Sequence, residues 1–266
     1  MDKLIHYCWF GENQIDSLGH RCIRSWEKYC PDYKIILWNE SNFDLNCCEY
    51  VAHAAREKKW AFVSDYARVF VVHKYGGLYF DTDVELIRSI DDIVARGPFL
   101  AFETDPTANK YGTVNMGLGF GAEPGMKMLK DLLEGYERSV FDDNCAANNS
   151  YTIVKRLDDL LKGYGVTQLS GQQQIAGFTI YPSEFFNPKD ASTGKVLITD
   201  STRSIHHFNA SWYTQSEKRV LRRKHELCKK FPYINAKTAS LFAKLECGLF
   251  DGDWDPWVKL FKDRLR

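Results

Sequence analysis

The chain has 266 residues, 44% of them hydrophobic and 26% charged, a balance that excludes disordered and fibrous classes. Lys plus Arg and Asp plus Glu both number 35, so the formal charge is zero, and a general nucleic-acid partner, which needs a basic excess, is not expected. No run of apolar residues is long enough to span a bilayer.

Short apolar runs alternate with helical periodicity, which predicts an α/β fold. Leu4–Phe10 reads as a first strand closed by Gly11. A helix follows over Ser17–Tyr29, with Leu18, Cys22, Ile23 and Trp26 on one face, and Pro31 stops it. Tyr33–Trp38 is a second strand, and the strand–helix–strand order predicts parallel pairing with a right-handed crossover. Val51–Lys59 and Ala61–Lys74 are helical, separate or joined, and Gly76-Gly77 ends the second. Leu78-Tyr79-Phe80 is a short apolar strand. Phe99–Glu103 and Asn115–Ala122 read as strands, Pro124–Gly135 as a helix, and Ile180–Pro182 and Ser204–Phe208 as late strands. Leu160–Ile175 is not assigned.

Two domains are expected, 1–212 and a helical extension over 213–266 that holds 13 basic and 7 acidic side chains. Two readings of this tail stand: a solvated helical subdomain, or a peripheral contact with anionic lipid. The amino terminus turns polar before any signal-length apolar run develops. Eight irregularly spaced cysteines form no C-x-x-C pair. Reduced thiols are the expectation, in a protein that is cytoplasmic or peripheral at the inner face of the cell membrane.

The chemistry concentrates in Ala61–Arg68 and Tyr75–Glu85. An apolar strand running into Asp81-Thr82-Asp83 puts two carboxylates at the carboxyl edge of a sheet, where ligands of open α/β folds bind. Two close carboxylates repel unless a cation sits beside them, and hard oxygen ligands suit Mn2+ or Mg2+, which commonly keep substrate phosphates in their shell. Asp65 and Arg68 lie three apart on one face of a helix with apolar flanks, so the pair is expected to be buried. An Asp-x-Asp alone has little specificity. His6, in an apolar strand, reads as a core histidine, and only one of His206 and His207 faces a given side of a strand.

Taken together, Ser64–Arg68 followed by Tyr75–Asp83 resembles the sugar-binding region containing the DXD motif of glycosyltransferase family 32. Ile5–Gly11, Tyr33–Glu40 and Ile205–Trp212 also look like its bacterial members. The resemblance implies a GT-A fold, a Rossmann-like, mixed and mostly parallel sheet flanked by helices. It also implies transfer of a hexose or N-acetylhexosamine from a nucleotide sugar, UDP-sugar favoured, with retention at the anomeric carbon. The implied acceptor is a saccharide or lipid-linked saccharide of surface polysaccharide or lipopolysaccharide.

By the same resemblance Trp9 stacks on the nucleobase and Asp65 and Arg68 hold the donor sugar and diphosphate side. Tyr79 packs near the ribose or base, and Asp81 reaches ribose or sugar hydroxyls directly or through the metal shell. Asp83 binds the metal, with His206 the late ligand or diphosphate contact. Ser211 and Trp212 touch the phosphates, and Asn115 lies by the donor sugar or the acceptor. Asp65, Arg68, Asp81 and Asp83 form the catalytic set; Asp81, Asp83 and His206 form the metal set. Glu103 and Asp105 are further sugar-contacting candidates, and Gln172–Gln174 is either an acceptor groove or a polar loop. Retention leaves two routes open, a carboxylate nucleophile or acceptor attack from the leaving-group face, and the resemblance favours the second. A metal-dependent phosphohydrolase and a non-catalytic sugar-binding protein are the alternatives.

Overall fold

A computed structural model describes residues 1–141, 152–190, 192–209, 214–231 and 233–247. The chain divides into two units, Met1–Lys189 with Val196–Asn209, and Asp190–Lys195 with Ala210–Arg266.

The first unit opens with β1 (Leu4–Cys8), α1 (Ser17–Tyr29) and β2 (Lys34–Trp38), with β1 and β2 parallel in the register Ile5 to Ile35. Asp16 caps α1 by accepting from the Gly19 amide at 2.9 Å, and the helix lays Cys22 and Trp26, both fully buried, against the sheet. Next come α2 (Glu49–Arg56) and α3 (Trp60–Tyr75). They are separate helices, because Lys58 turns to φ 54° and the Lys59 amide bonds back to the Ala54 carbonyl. Val63, Tyr66, Ala67, Val69, Val71 and Val72 of α3 are all buried, as befits a helix that is apolar nearly all round.

β3 (Gly77–Tyr79) is parallel to β1. The strands approach so closely that a Cβ on Gly77 would lie 2.8 Å from the Leu4 carbonyl oxygen, and its φ of 90° also favours glycine. β4 (Val84–Leu86) and α4 (Asp91–Val94) lead to β5 (Phe99–Thr104).

The strand expected over Asn115–Ala122 is a strand only at its end, Phe120–Ala122; its first half is a turn. β6 (Thr113–Val114) is followed by a 3-10 turn over Met116–Leu118, and then by β7 (Phe120–Ala122). The Asn115 side chain accepts from the Gly117 amide and Gly119 adopts φ 123°, so the chain turns where apolar content alone reads as extended. α5 (Lys127–Glu137), α6 (Ile153–Gly163), β8 (Gln173–Ile175), β9 (Phe178–Tyr181), α7 (Ser183–Phe186) and β10 (Ser204–His206) complete this unit.

The main sheet has the order β2-β1-β3-β7-β5-β9-β8, with β6 on β5. β1 is parallel to β2 and β3, β5 is parallel to β9, and β7 is antiparallel to both β3 and β5. Thus β1, β2, β3, β5 and β9 share one direction, and the sheet is mixed and mostly parallel, flanked by helices, as expected. β4 and β10 form a separate antiparallel pair.

The second unit contains α8 (Gln215–Lys230) and α9 (Ala236–Glu246), packed through buried Leu227, Cys228, Ala239 and Ala243. Among the described residues no helix is long and apolar enough to cross a membrane.

Candidate active site

The shared direction of β1, β3 and β5 gathers Trp9, Asp81, Asp83, Glu103 and Asp105 at or just beyond their carboxyl ends. β3 delivers Asp81 two residues after its last strand position, and the Asp81 amide is tied to the Gly117 carbonyl.

Arg68 joins α3 to this edge. Its guanidinium lies 3.1 Å from Asp65 Oδ1 and 3.3 Å from Asp81 Oδ1, with Arg68 and Asp65 side chains 7% and 12% exposed. The Tyr79 hydroxyl donates to Asp81 Oδ1 at 2.9 Å, and the Ile153 amide donates to Asp65 Oδ2 at 3.1 Å. Burial pushes the Asp65 carboxyl up to about 6, against the pull of Arg68 and the Ile153 amide. Burial also raises Asp81, with Arg68 opposing and the Asp83 charge adding to the rise.

Asp83 has a different environment. His206 Nε2 is 3.1 Å from its Oδ1, and the Asn209 amide donates to Oδ2 at 2.7 Å. Burial alone would raise the Asp83 carboxyl, but His206 and the Asn209 amide win and hold it at about 2. Burial opposes charge on His206, yet Asp83 raises it above the ordinary imidazole value. His206 Nδ1 is buried and has no hydrogen-bond partner among the described residues.

Donor atoms of Asp81, Asp83 and His206 lie within 4.8 Å of one another. Two carboxylate oxygens and one imidazole nitrogen form a set that suits Mn2+ or Mg2+, and a divalent cation would offset the mutual repulsion of the two carboxylates. β10 accounts for the choice of histidine. His206 faces Asp83, while His207 faces the other way and meets Glu85 at 2.7 Å.

Several expected contacts are placed differently. Tyr79 is 1% exposed and lies beneath Asp81, with Arg68 5.1 Å from its ring, so it supports Asp81 and offers no open face to a ribose. Asn115 has both amide ends engaged, its Nδ2 donating to Glu103 Oε2 at 2.6 Å and its Oδ1 accepting from the Gly117 amide at 2.7 Å. Asp105 accepts from the Ser183 amide and hydroxyl at the start of α7, a local structural task. Gln173 closes the turn at Thr167 and Leu169, and Gln174 bonds Thr179, which makes this stretch a structured loop and strand. Trp9 is half-buried just past β1, its indole N–H donating to the Asn13 carbonyl at 2.6 Å. His6 is buried, with Nε2 at the Gly76 carbonyl and Nδ1 accepting from Trp38. Ser211 and Trp212 lie outside the described residues, as do Trp254, Trp257 and the segment 257–266.

Gly117 is the residue that motif reading passes over. A Cβ there would sit 2.2 Å from Asp81 Oδ2 and 3.0 Å from Asn115 Oδ1, so only glycine lets the 3-10 turn underlie the first aspartate. The sequence signal was the Asn115-Met116-Gly117 order, an Asn two residues before a Gly in a turn.

Residues 17–100 match the family model described as the glycosyltransferase sugar-binding region containing DXD motif. It is the family that the motifs pointed to, and the match includes Asp65, Arg68, Asp81 and Asp83. Inositol phosphoceramide mannosyltransferase 3 of Schizosaccharomyces pombe is 27% identical over 144 residues, 53% of this chain; the chain spans 38% of that relative's length. Among solved structures, the PaToxG glycosyltransferase aligns with TM-score 0.46 at 15% identity, covering 61% of this chain and 69% of that one. The galactosyltransferase LgtC, in complex with donor and acceptor sugar analogues, aligns with TM-score 0.41 at 14% identity, covering 88% of this chain and 98% of that one.

Proposed function

We propose that the chain is a metal-dependent, retaining glycosyltransferase of GT-A type. It moves a hexose or N-acetylhexosamine from a nucleotide sugar, UDP-sugar favoured, to a saccharide or lipid-linked saccharide of a bacterial surface polysaccharide or lipopolysaccharide. The observation that carries the reading is the meeting of Asp81, Asp83 and His206 at the carboxyl edge of the sheet, with Arg68 buried behind them.

In this reading Asp81, Asp83 and His206 hold Mn2+ or Mg2+, whose charge offsets the negative charge that develops on the departing diphosphate. Arg68 fixes the Asp81 carboxylate from the helix side and Tyr79 fixes it from below. Asp65 keeps the Arg68 fork oriented. Trp9, Ser211 and Trp212 are assigned to the nucleotide end of the donor. Asn115, held by Glu103, sets the turn under Asp81.

The acceptor hydroxyl oxygen bonds to the anomeric carbon as the bond from that carbon to the phosphate oxygen breaks. The electron pair leaves with the nucleoside diphosphate, and the acceptor proton passes to the departing phosphate oxygen. Attack from the leaving-group face is favoured because every carboxylate of the cluster already has a donor. Asp65 and Asp81 have Arg68, Asp83 has His206 and Asn209, and Glu103 has Asn115. A covalent route needs one of them free to act as nucleophile.

The test is a panel of nucleotide sugars followed for nucleotide release by the full chain, with and without Mn2+. Metal-dependent turnover of one donor, even slow hydrolysis to water, supports the reading and names the sugar. No turnover together with no metal-dependent binding of UDP or GDP overturns it.

A further inference from the structure

We infer that the turn joining α8 and α9 seats on a membrane surface rich in anionic phospholipid headgroups. Arg219 donates to the Cys247 carbonyl at 3.0 Å and Arg223 pairs with Glu246, which sets the end of α9 beside the first half of α8. The helices are therefore antiparallel, and residues 229–231 and 233–237 lie at the opposite end of the hairpin. Phe231 is 49% exposed there and Tyr233 101% exposed. The hairpin's own core is Leu227, Cys228, Ala239 and Ala243, all buried. The two rings therefore lie outside the hairpin's core.

The charge at this end is uncompensated. Residues 214–247 hold nine Lys and Arg but only three acids, Glu217, Glu226 and Glu246. Glu217 is used in the capping box with Thr214, and Glu226 and Glu246 both pair with Arg223. Lys229, Lys230 and Lys237 are exposed, and none is in an ion pair with a described residue. Lys230 Nζ lies 5.5 Å from the Phe231 ring centre. The chain as a whole has zero formal charge, so this is a local separation of charge and not general basicity.

Exposed rings flanked by lysines suit the interface of an anionic bilayer. The rings enter the headgroup boundary while the ammonium groups stay at phosphate level. A single-stranded nucleic acid wants a groove that tracks a backbone, and two exposed rings at one hairpin end do not make one. The inference is independent of the catalytic reading, because its readout is partitioning and not turnover.

The experiment is sedimentation of the full chain with vesicles of phosphatidylcholine alone and of phosphatidylcholine with phosphatidylglycerol. Binding is expected to rise with phosphatidylglycerol and to fall with salt. Lys229→Gln with Lys230→Gln and Lys237→Gln is expected to lower partitioning roughly tenfold or more, given the usual attraction per basic residue. Phe231→Ser with Tyr233→Ser lowers it on the same vesicles, and Tyr233→Trp retains or raises it. Equal binding to neutral and anionic vesicles, parent-like behaviour of both multiple variants, or binding of single-stranded RNA without vesicle binding overturns the inference. Should the multiple variants lose helical circular dichroism, Tyr233→Trp alone decides: the fluorescence it adds shifts to the blue with anionic vesicles, or the tip does not insert.

Discussion

Arg68 lies between two carboxylates that belong to different parts of the fold, 3.1 Å from Asp65 on its own helix and 3.3 Å from Asp81 at the end of β3. One guanidinium thus ties the central helix to the first aspartate of the Asp-Thr-Asp motif. Arg68→Lys keeps the charge but loses the planar fork, so donor turnover should fall by at least tenfold with a modest change in stability. Arg68→Ala strands two carboxylates in a buried setting and should cost about 3–5 kcal/mol of stability. Steady-state kinetics of the first variant and denaturant unfolding of both provide the check; wild-type turnover in Arg68→Lys would make the pair purely structural.

Gly117 has no room for a methyl group, since its Cβ would meet Asp81 Oδ2 at 2.2 Å. Gly117→Ala should displace the Asp81 carboxylate and weaken metal-dependent UDP binding by at least tenfold, at an overpacking cost of about 1–3 kcal/mol. Calorimetric titration of UDP in the presence of Mn2+ measures the first, thermal unfolding the second. Undiminished binding would show that the turn yields.

Asp83→Asn keeps the shape of the side chain and can still accept from Asn209, but it removes the charge facing His206. Metal-dependent donor binding should be lost while the fold persists. Mn2+ titration followed by electron paramagnetic resonance tests this directly, and parent-like Mn2+ affinity would remove Asp83 from the metal set.

Asp158 on α6 accepts from the Val114 amide at 3.0 Å, and burial pushes its carboxyl up to about 6. The folded chain therefore holds this proton more tightly than the unfolded chain, whose aspartates titrate near pH 4 (~3.9). Its contribution is greatest below the unfolded value and is lost as pH rises through the folded one. Asp158→Asn retains an acceptor for Val114 and removes the titration. The variant should gain stability relative to the parent as pH goes from about 4 to 8. Melting temperatures across that range decide the matter, and a pH-independent difference would assign the effect to packing.

Trp26 is fully buried, and its indole N–H donates to the Val84 carbonyl at 2.8 Å, just after Asp83. Trp26→Phe should cost about 1–3 kcal/mol, from a carbonyl left unsatisfied and some lost volume. Trp26→Ala should cost about 3–5 kcal/mol. Chemical denaturation of the two variants separates the hydrogen bond from the packing.

Much of the fold could be read from local pattern. α1 follows from a capping Asp16, a 3.6-residue apolar face and a stop at Pro31, and β1 and β2 from apolar runs bounded by turns. Within Asn115–Ala122 the last three residues are a strand as their apolar content predicts, whereas an Asn side chain and a glycine at positive φ turn the first half. At the site, the pairing of Asp65 with Arg68 was legible from helical spacing and apolar flanks. The Ile153 amide on Asp65 and the Gly117 turn under Asp81 were not, because they join segments 88 and 36 residues apart through backbone atoms that any sequence offers. Tyr79 alternates with its strand neighbours in the usual way, yet whether its ring faces solvent or lies under a carboxylate depends on β7 and α3 packing around it.

The short ladder between β4 and β10 has a consequence for how this site tolerates change. Three residue pairs, Ser204 to Leu86, Ile205 to Glu85 and His206 to Val84, set the phase of the late strand, with the His207 amide on the Asp83 carbonyl and the Ile87 amide on the Arg203 carbonyl at its two ends. A slip of a single residue would exchange the two neighbouring histidines, turning the one now beside Glu85 toward Asp83 and the other away. Loops elsewhere between residues 87 and 203 can lengthen without touching that choice. A one-residue insertion within 204–207 would instead rewrite which imidazole the second aspartate meets, so the site is robust to large distant changes and fragile to the smallest local one.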